Sequence, residues 1–175
     1  GDRDMTLGPT HEEIVTPLAG EFIRSYRDLP VSVYQIQTKY RNELRAKSGL
    51  LRGREFRMKD MYSFHAAESD LDSYYEKVQA AYVRVFERLG LGRITYMTYA
   101  SGGVFSKYSH EYQTITEHGE DTIYVCEGCH VAVNKEIMDD LNHACPECKK
   151  GGLRAEKAIE VGNIFQLGYH YSNLM

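Results

Sequence analysis

Two cysteine pairs are the residues of this sequence whose spacing most directly indicates a chemistry. Cys126 and Cys129 form one Cys-x-x-Cys pair, Cys145 and Cys148 form a second, and 15 residues separate them. Four thiolates spaced in this way can close a tetrahedral shell around zinc, as in a zinc ribbon. Two alternatives stay open: disulfides, which are disfavoured in a chain without a secretory signal, and a remnant that no longer binds metal. We expect structural zinc, because a glycine and a proline within the pairs suit tight turns.

A basic cluster between residues 39 and 59 is the second feature that could carry chemistry. It holds eight basic and two acidic residues, a net charge of +6, whereas the whole chain carries −4. The basic members are Lys39, Arg41, Arg45, Lys47, Arg52, Arg54, Arg57 and Lys59. Such a density indicates a site for a nucleotide or a phosphate backbone. The alternative is a solvated basic loop, which we consider the weaker interpretation because the arginines occur at specific offsets.

One face of a predicted strand combines aromatic residues with a single carboxylate. Phe56, Met58, Asp60, Tyr62 and Phe64 alternate along the sequence and therefore share a face. Burying an unpaired carboxylate is expensive, so Asp60 needs a partner. That partner is either a bound cation, such as a substrate amine, or a neighbouring Arg or Lys. For the aromatic residues and Met58, core packing is the competing interpretation.

The elements that must position these residues can be predicted from periodicity and turn residues. Helices are predicted over 11–28 and 70–89, the first opened by a capping box of Thr10 and Glu13. Strand-like runs cover residues 31–41, 52–65, 93–100, 111–116, 121–125 and 158–167. This order predicts an α+β domain with an antiparallel sheet flanked by helices. No glycine-rich strand-to-helix turn occurs, so a nucleotide site must be of another kind.

The composition is that of an ordinary globular protein. Hydrophobic residues make up 42% of the 175 residues and charged residues 26%. No apolar run approaches the roughly 20 residues that cross a bilayer, and no signal peptide opens the chain. The sequence therefore predicts a soluble, cytoplasmic protein.

Five segments in the same order resemble a known family. Arg41-Asn42-Glu43, a loop of eight residues and Arg52-Gly53-Arg54-Glu55-Phe56 resemble motif 2 of the class II aminoacyl-tRNA synthetases. Leu7 to Glu13 is similar to the Thr-x-Glu loop of the prolyl enzymes. Further matches to the bacterial prolyl type are Met58 to His65, Ser109 to Gln113 and Glu160 to Gly168. The resemblance covers nearly all of the chain outside 130–144.

The resemblance implies a class II catalytic core that activates proline. Residues 1–125 would form the core, 126–152 a small zinc-ribbon-like insertion with four cysteines, and 153–175 a return strand of the core. The implied reaction joins proline and ATP to give prolyl-adenylate and pyrophosphate, and the prolyl group then passes to tRNA(Pro). Because the substrate carboxylate attacks the α-phosphorus, catalysis is positioning and charge stabilisation. The full-length form is expected to be a homodimer.

The resemblance also implies roles for individual residues. Arg41 would be the catalytic residue, bridging the α-phosphate and the proline carboxylate. The implied proline site consists of Thr10, Glu12, Arg41, Met58, Asp60, Tyr62 and Phe165. The implied ATP site consists of Arg41, Glu43, Arg52, Phe56, Glu160 and Asn163. Glu43 would receive the adenine amino group, Phe56 would stack on adenine, and Glu160 would bind the Mg²⁺ that accompanies ATP.

Three departures from the family pattern change these expectations. Residues 131–136 are followed almost at once by Cys145, so the editing domain of many bacterial relatives is missing. Asn163 stands where bacterial relatives usually have His. By the resemblance, we expect the given residues to stop before the arginine-bearing motif 3 and not to include motif 1 or the anticodon-binding domain. We therefore expect weak or no activity from the chain alone. The alternatives are a synthetase-like binding module without catalysis and, less favoured, a zinc-ribbon protein that binds nucleic acid.

Overall fold

The fold consists of two compact units in a computed structural model that describes residues 4, 6–44, 46 and 49–174. The first unit comprises Gly1–Ser73 and Tyr171–Met175, and the second comprises Tyr74–His170. The predicted domain boundaries at 126 and 152 stay predictions.

The first unit is organised by a β-hairpin. Helix α1 (Glu12–Phe22) precedes strands β1 (Val31–Tyr40) and β2 (Glu55–Phe64), and helix α2 (Glu68–Arg88) begins after them. The strands pair antiparallel from Val31↔Phe64 to Tyr40↔Glu55 without a register shift. Because the register is unbroken, residues that alternate along β2 share a face with their partners on β1.

Helix α1 is shorter than the predicted helix over 11–28. It ends at Phe22, and a separate 3₁₀ turn covers Tyr26–Asp28. The Asp28 carboxylate accepts hydrogen bonds from the backbone N–H groups of Arg24 and Ser25, each at 2.9 Å. These local side-chain bonds compete with the helical backbone pattern, which is why the apolar periodicity overestimates the length.

The predicted capping box of Thr10 and Glu13 is wrong. His11 occupies the N-cap position of α1, and no side chain caps the first turn. The Thr10 hydroxyl instead donates to the Glu12 carboxylate. The Glu12 carboxylate is a charged acceptor two residues away, so the Thr10 hydroxyl is oriented toward it. The hydroxyl therefore does not accept a hydrogen bond from a backbone N–H group of the first helical turn.

The second unit comprises the rest of α2 and a closed five-stranded barrel. Its strands are β3 (Thr95–Ser101), β4 (Tyr108–Ile115), β5 (Asp121–Cys126), β6 (Val131–Asn134) and β7 (Arg154–Ile164), in the order β3-β4-β7-β5-β6. The pairs are antiparallel except β3 with β6, which is parallel. Sequence periodicity missed β6, because a run of four residues is too short for an alternating pattern to identify.

Several apolar groups stabilise this barrel. One buried cluster consists of Tyr96, Ile123, Val125, Ala132 and Ala158. Tyr82 of α2 stacks on Tyr112 of β4 with ring centroids 4.6 Å apart, and Phe86 lies beside both rings. The stacking fixes the part of α2 from Tyr74 onward on the barrel, with Tyr112 only 1% exposed.

Candidate active site and metal centre

A buried ion pair joins the two strands of the hairpin. The Lys39 ammonium lies 3.2 Å from one Asp60 oxygen and 3.3 Å from the other, and the Lys39 side chain is fully buried. Gln35, directly opposite Asp60 in the register, donates from its amide at 2.8 Å, and the Tyr62 hydroxyl donates at 2.5 Å. Of the two partners predicted for Asp60, the neighbouring lysine is the one observed.

The hydrogen bonds outweigh burial at this carboxylate. Burial alone would raise the pKa of Asp60, but bonds from Tyr62, Gln35 and Lys39 hold it below its ordinary value. Burial raises the pKa of Tyr62, and the Asp60 and Glu12 carboxylates raise it further. At neutral pH the cluster therefore contains an ionised carboxylate and a protonated phenol.

The Thr-x-Glu loop contacts the same cluster through His11. His11 is buried, and its Nδ1 contacts the Lys39 ammonium. The backbone N–H of Tyr40 donates to the Gly8 carbonyl at 3.1 Å, which fastens the loop to β1. The structure thus brings the predicted proline-site residues Thr10, Glu12, Asp60 and Tyr62 together, with Met58 on the same half-buried face of β2.

Arg41 lies just beyond β1 and is held by two contacts. Its Nε donates to the Pro9 carbonyl at 3.1 Å, and its guanidinium lies over the Phe56 ring, 5.3 Å from the centroid. The backbone N–H of Arg41 donates to the Arg54 carbonyl at 2.9 Å. These contacts orient the guanidinium, whose planar fork suits carboxylate and phosphate groups.

Glu43 and Arg52, both predicted to contact ATP, contact each other. Arg52 Nη1 lies 3.1 Å from Glu43 Oε2, and Arg54 Nε donates to the Glu43 carbonyl at 3.0 Å. Both side chains are partly exposed, so water screens this pair far more than the buried Lys39–Asp60 pair. Of the predicted basic cluster, Lys39 is neutralised inside the fold, and Arg45 and Lys47 lie outside the described residues.

A β-bulge groups the site residues predicted on β7. The register between β4 and β7 shifts at Val161, because Tyr112 pairs with Gly162 while Gln113 pairs with Glu160. Residues three apart on a regular strand point to opposite faces, and the extra residue of a bulge changes this alternation. Asn163 Nδ2 accordingly donates to Glu160 Oε1 at 3.2 Å. Phe165 follows the strand and meets the Phe105 ring edge-on, with centroids 5.9 Å apart.

The four cysteines converge on one point beside the barrel. All four Sγ atoms lie within 4.8 Å of one another, and those of Cys126 and Cys148 are 3.8 Å apart. That separation is far longer than a disulfide bond of about 2.05 Å. It matches the roughly 3.8 Å between two sulfurs that bind one tetrahedral zinc at about 2.3 Å.

A backbone donor favours the thiolate at Cys148, whereas the hydrogen bond with Cys148 raises the pKa of Cys129 and burial raises that of Cys145. The Lys150 backbone N–H, with help from the neighbouring cysteines, lowers the pKa of the Cys148 thiol to about 7. A tight turn closes each Cys-x-x-Cys pair, with hydrogen bonds from His130 N to Cys126 O at 3.0 Å and from Lys149 N to Cys145 O at 2.9 Å. The donor set is therefore that of a structural zinc site.

Sequence reasoning missed the groups that assemble the hairpin cluster. His11 lies inside the Thr-x-Glu loop segment without an assigned role, and Gln35 is one of several polar residues in a strand-like run. From the sequence, Lys39 belongs to the basic cluster that is predicted to bind an anion. Strand alternation could have indicated its different role, because Lys39 and Asp60 lie on the same face once the two strand-like runs pair as a hairpin.

Comparison with known proteins identifies the family. The tRNA synthetase class II core domain family (G, H, P, S and T) matches residues 1–175. The chain belongs to this family. The proline–tRNA ligase of Nitratidesulfovibrio vulgaris is 50% identical over 144 residues, which cover 82% of this chain and 25% of that protein. The probable mitochondrial proline–tRNA ligase of Rattus norvegicus is 44% identical over 173 residues, covering 98% of this chain and 36% of that protein.

Solved structures agree at the level of the fold. A prolyl-tRNA synthetase from Cryptosporidium parvum, complexed with halofuginone and AMPPNP, is similar over 66% of this chain and 24% of its own, with a TM-score of 0.55 and 21% identity. The predicted class II core fold and the predicted resemblance to the prolyl enzymes are thus confirmed. The chain spans about a quarter to a third of the length of the curated relatives described above.

In the part of the chain that the structure describes, no helix combines the length and the apolar character needed to cross a membrane.

Proposed function

We propose that this chain is part of the catalytic core of a proline–tRNA ligase, which activates proline with ATP and transfers it to tRNA(Pro). The observation that carries the proposal is the hairpin of the first unit. Its register brings Asp60 and Tyr62 to a buried ion pair with Lys39, His11 joins the loop of Thr10 and Glu12 to the same lysine, and Arg41 lies just beyond β1. A carboxylate suits an amino-acid imino cation, and an oriented arginine suits the substrate carboxylate and phosphate.

The reaction needs no nucleophile from the protein. An oxygen of the proline carboxylate forms a bond to the α-phosphorus of ATP, and the bond from that phosphorus to the bridging oxygen breaks, releasing pyrophosphate. Arg41 would stabilise the charge that develops on the α-phosphate and hold the attacking carboxylate in line. Its contacts with Pro9 and Phe56 fix the guanidinium before substrate binds.

The remaining contacts are assigned to ATP and its metal. Arg52 would bind the terminal phosphates, Glu43 the adenine amino group, and Phe56 the adenine ring. The Arg52–Glu43 pair would then be exchanged for contacts with ATP. On β7, Glu160 would hold Mg²⁺, Asn163 would contact the nucleotide, and Phe165 would line the proline pocket. A magnesium ion bound there would neutralise phosphate charge.

We further propose that Cys126, Cys129, Cys145 and Cys148 hold a structural zinc ion, supported by their converging sulfurs and the thiolate character of Cys148. By family resemblance, the full-length protein would be a cytoplasmic homodimer, although the name of the rat relative indicates mitochondria.

Proline-dependent exchange of labelled pyrophosphate into ATP tests the proposed activity, with calorimetric binding of proline and ATP measured on the same preparation. Exchange that Arg41→Ala abolishes would support the assignment. Because weak or no activity is expected of the chain alone, binding of both ligands without exchange would support the assignment if Arg41→Ala weakens that binding, and would favour the non-catalytic binding module if it does not. A folded chain that binds neither proline nor ATP would overturn the proposal.

A further inference from the structure

Two tyrosines of α2 donate hydrogen bonds to consecutive carbonyls of β7. The Tyr75 hydroxyl lies 3.0 Å from the Ile164 carbonyl oxygen, and the Tyr82 hydroxyl lies 3.2 Å from that of Asn163. The two tyrosines are seven residues apart, about two helical turns, so their side chains leave the same face of the helix. Burial raises the pKa of both phenols, so each carries its proton at neutral pH.

These bonds act where β7 has lost one neighbouring strand. The pairing of β5 with β7 extends only from Arg154 to Ala158, whereas the pairing with β4 continues to Ile164. Beyond Ala158, the described residues therefore give β7 a strand on one side only. Backbone groups that lose a strand partner need other contacts to stay in place, and in this stretch the two phenols add hydrogen bonds to backbone carbonyls of the strand.

Each tyrosine is itself held in place. Tyr75 donates its one proton to Ile164, so His110 Nδ1, 2.8 Å from the Tyr75 oxygen, donates to that oxygen. Tyr82 stacks on Tyr112. A Cβ atom at Gly162 would come within 3.0 Å of Tyr82 Cε1, so the ring packs closely on the strand and would have to shift by a few tenths of an ångström to admit a side chain there.

We propose that Tyr75 and Tyr82 are positioning residues, which fix the end of β7 so that Phe165 and Asn163 are held for proline and ATP. Tyr75 holds the carbonyl that immediately precedes Phe165, and Tyr82 holds the carbonyl of Asn163 itself. The inference rests on the proposed function for the roles of Phe165 and Asn163. A displacement of about 1 Å at a contact residue can cost around a hundredfold in rate, so restraint of the strand end has consequences for the reaction.

The test uses Tyr75→Phe and Tyr82→Phe, which remove one hydroxyl each and keep the rings. Tyr112→Phe is the matched control, because it also removes a tyrosine–carbonyl hydrogen bond, to Gln79 at 3.1 Å, but none to β7. Amide hydrogen exchange over residues 163–168 is measured together with the dissociation constants for proline and ATP. A single hydrogen bond corresponds to an effect of about two- to tenfold.

We expect Tyr75→Phe to weaken proline binding more than ATP binding, and Tyr82→Phe to do the reverse. Both should speed amide exchange over 163–168, while Tyr112→Phe leaves exchange there and both affinities unchanged. Unchanged amide exchange over 163–168 in Tyr75→Phe and Tyr82→Phe would overturn the inference. Equal increases in that exchange in these two variants and in Tyr112→Phe would overturn it as well. If the parent chain binds neither ligand, the proposed function fails, and the exchange data still decide whether the tyrosines restrain the strand.

Discussion

The hairpin of the first unit and the cysteine cluster of the second unit both gather polar groups inside the fold, but they satisfy them differently. In the hairpin, Lys39 lies within 3.3 Å of both oxygens of Asp60, and Gln35 and Tyr62 donate to the same carboxylate. In the cysteine cluster, four sulfurs converge on one point, and no cationic side chain from the described part of the chain lies among them. The hairpin is thus complete with its own side chains, whereas the cysteine cluster calls for an ion from outside.

The two regions therefore differ in how far their stability depends on a ligand. A buried charge pair depends on both partners being present in the sequence. A thiolate cluster depends on the metal, because binding free energy and folding free energy are the same quantity there. Four changes separate the two kinds of dependence.

Removal of metal should have the largest effect. Protein purified without added metal should contain about one zinc per chain, and a strong chelator should unfold residues 126–152, since structural zinc contributes on the order of 10 kcal/mol in small sites. Elemental analysis and amide exchange over 126–152 measure the two results. Cys145→Ser should reproduce the effect of the chelator, whereas Ser109→Ala, a change elsewhere in the second unit, should keep the zinc. A folded, metal-free chain with four titratable thiols would contradict the comparison.

Lys39→Met should cost about 3 kcal/mol of unfolding free energy, because it leaves the Asp60 carboxylate without its buried cation. Urea denaturation measures the change. Lys59→Met, on the exposed face of β2, is the matched control and should stay within about 0.5 kcal/mol of the parent. Adding Asp60→Asn to Lys39→Met should recover part of the loss. If the two lysine variants are equally stable, the buried pair does not hold the hairpin together.

Arg41→Ala should weaken ATP binding by about 1.5–3 kcal/mol, the range for hydrogen bonds to charged groups, while changing stability little. Titration calorimetry measures the affinity. Arg57→Ala, which removes an exposed cation from β2, controls for loss of overall positive charge and should leave the affinity near that of the parent. Equal losses in the two variants would mean that ATP responds to net charge and not to the oriented guanidinium.

Much of this arrangement could be predicted from the sequence because it depends on local patterns. Alternation along β2 identified the face that carries Met58, Asp60 and Tyr62, and the cysteine spacing identified the cluster. What could not be predicted depends on pairing between segments distant in sequence. In the sequence, Lys39 is one member of a basic run, and only the pairing of β1 with β2 brings it to Asp60. The closed barrel depends on β6, a strand of four residues that pairs parallel with β3. The shortened α1 depends on Asp28, whose carboxylate captures two backbone donors that the apolar periodicity does not register.

Arg52→Gln should have the smallest effect on stability, and it tests the comparison within the hairpin itself. The Arg52–Glu43 pair has side chains 42% and 24% exposed, against 0% and 13% for Lys39 and Asp60. Water screens the exposed pair, and holding two long side chains costs entropy, so such pairs contribute about 0–1 kcal/mol. Urea denaturation should therefore show a change below about 1 kcal/mol, and a double-mutant cycle with Glu43→Gln should give a similarly small coupling. ATP affinity should nevertheless fall, because the proposed site uses Arg52 for phosphate. A coupling free energy as large as the effect of Lys39→Met would mean that the Arg52–Glu43 pair stabilises the hairpin. The pair would then not be one that breaks to contact ATP.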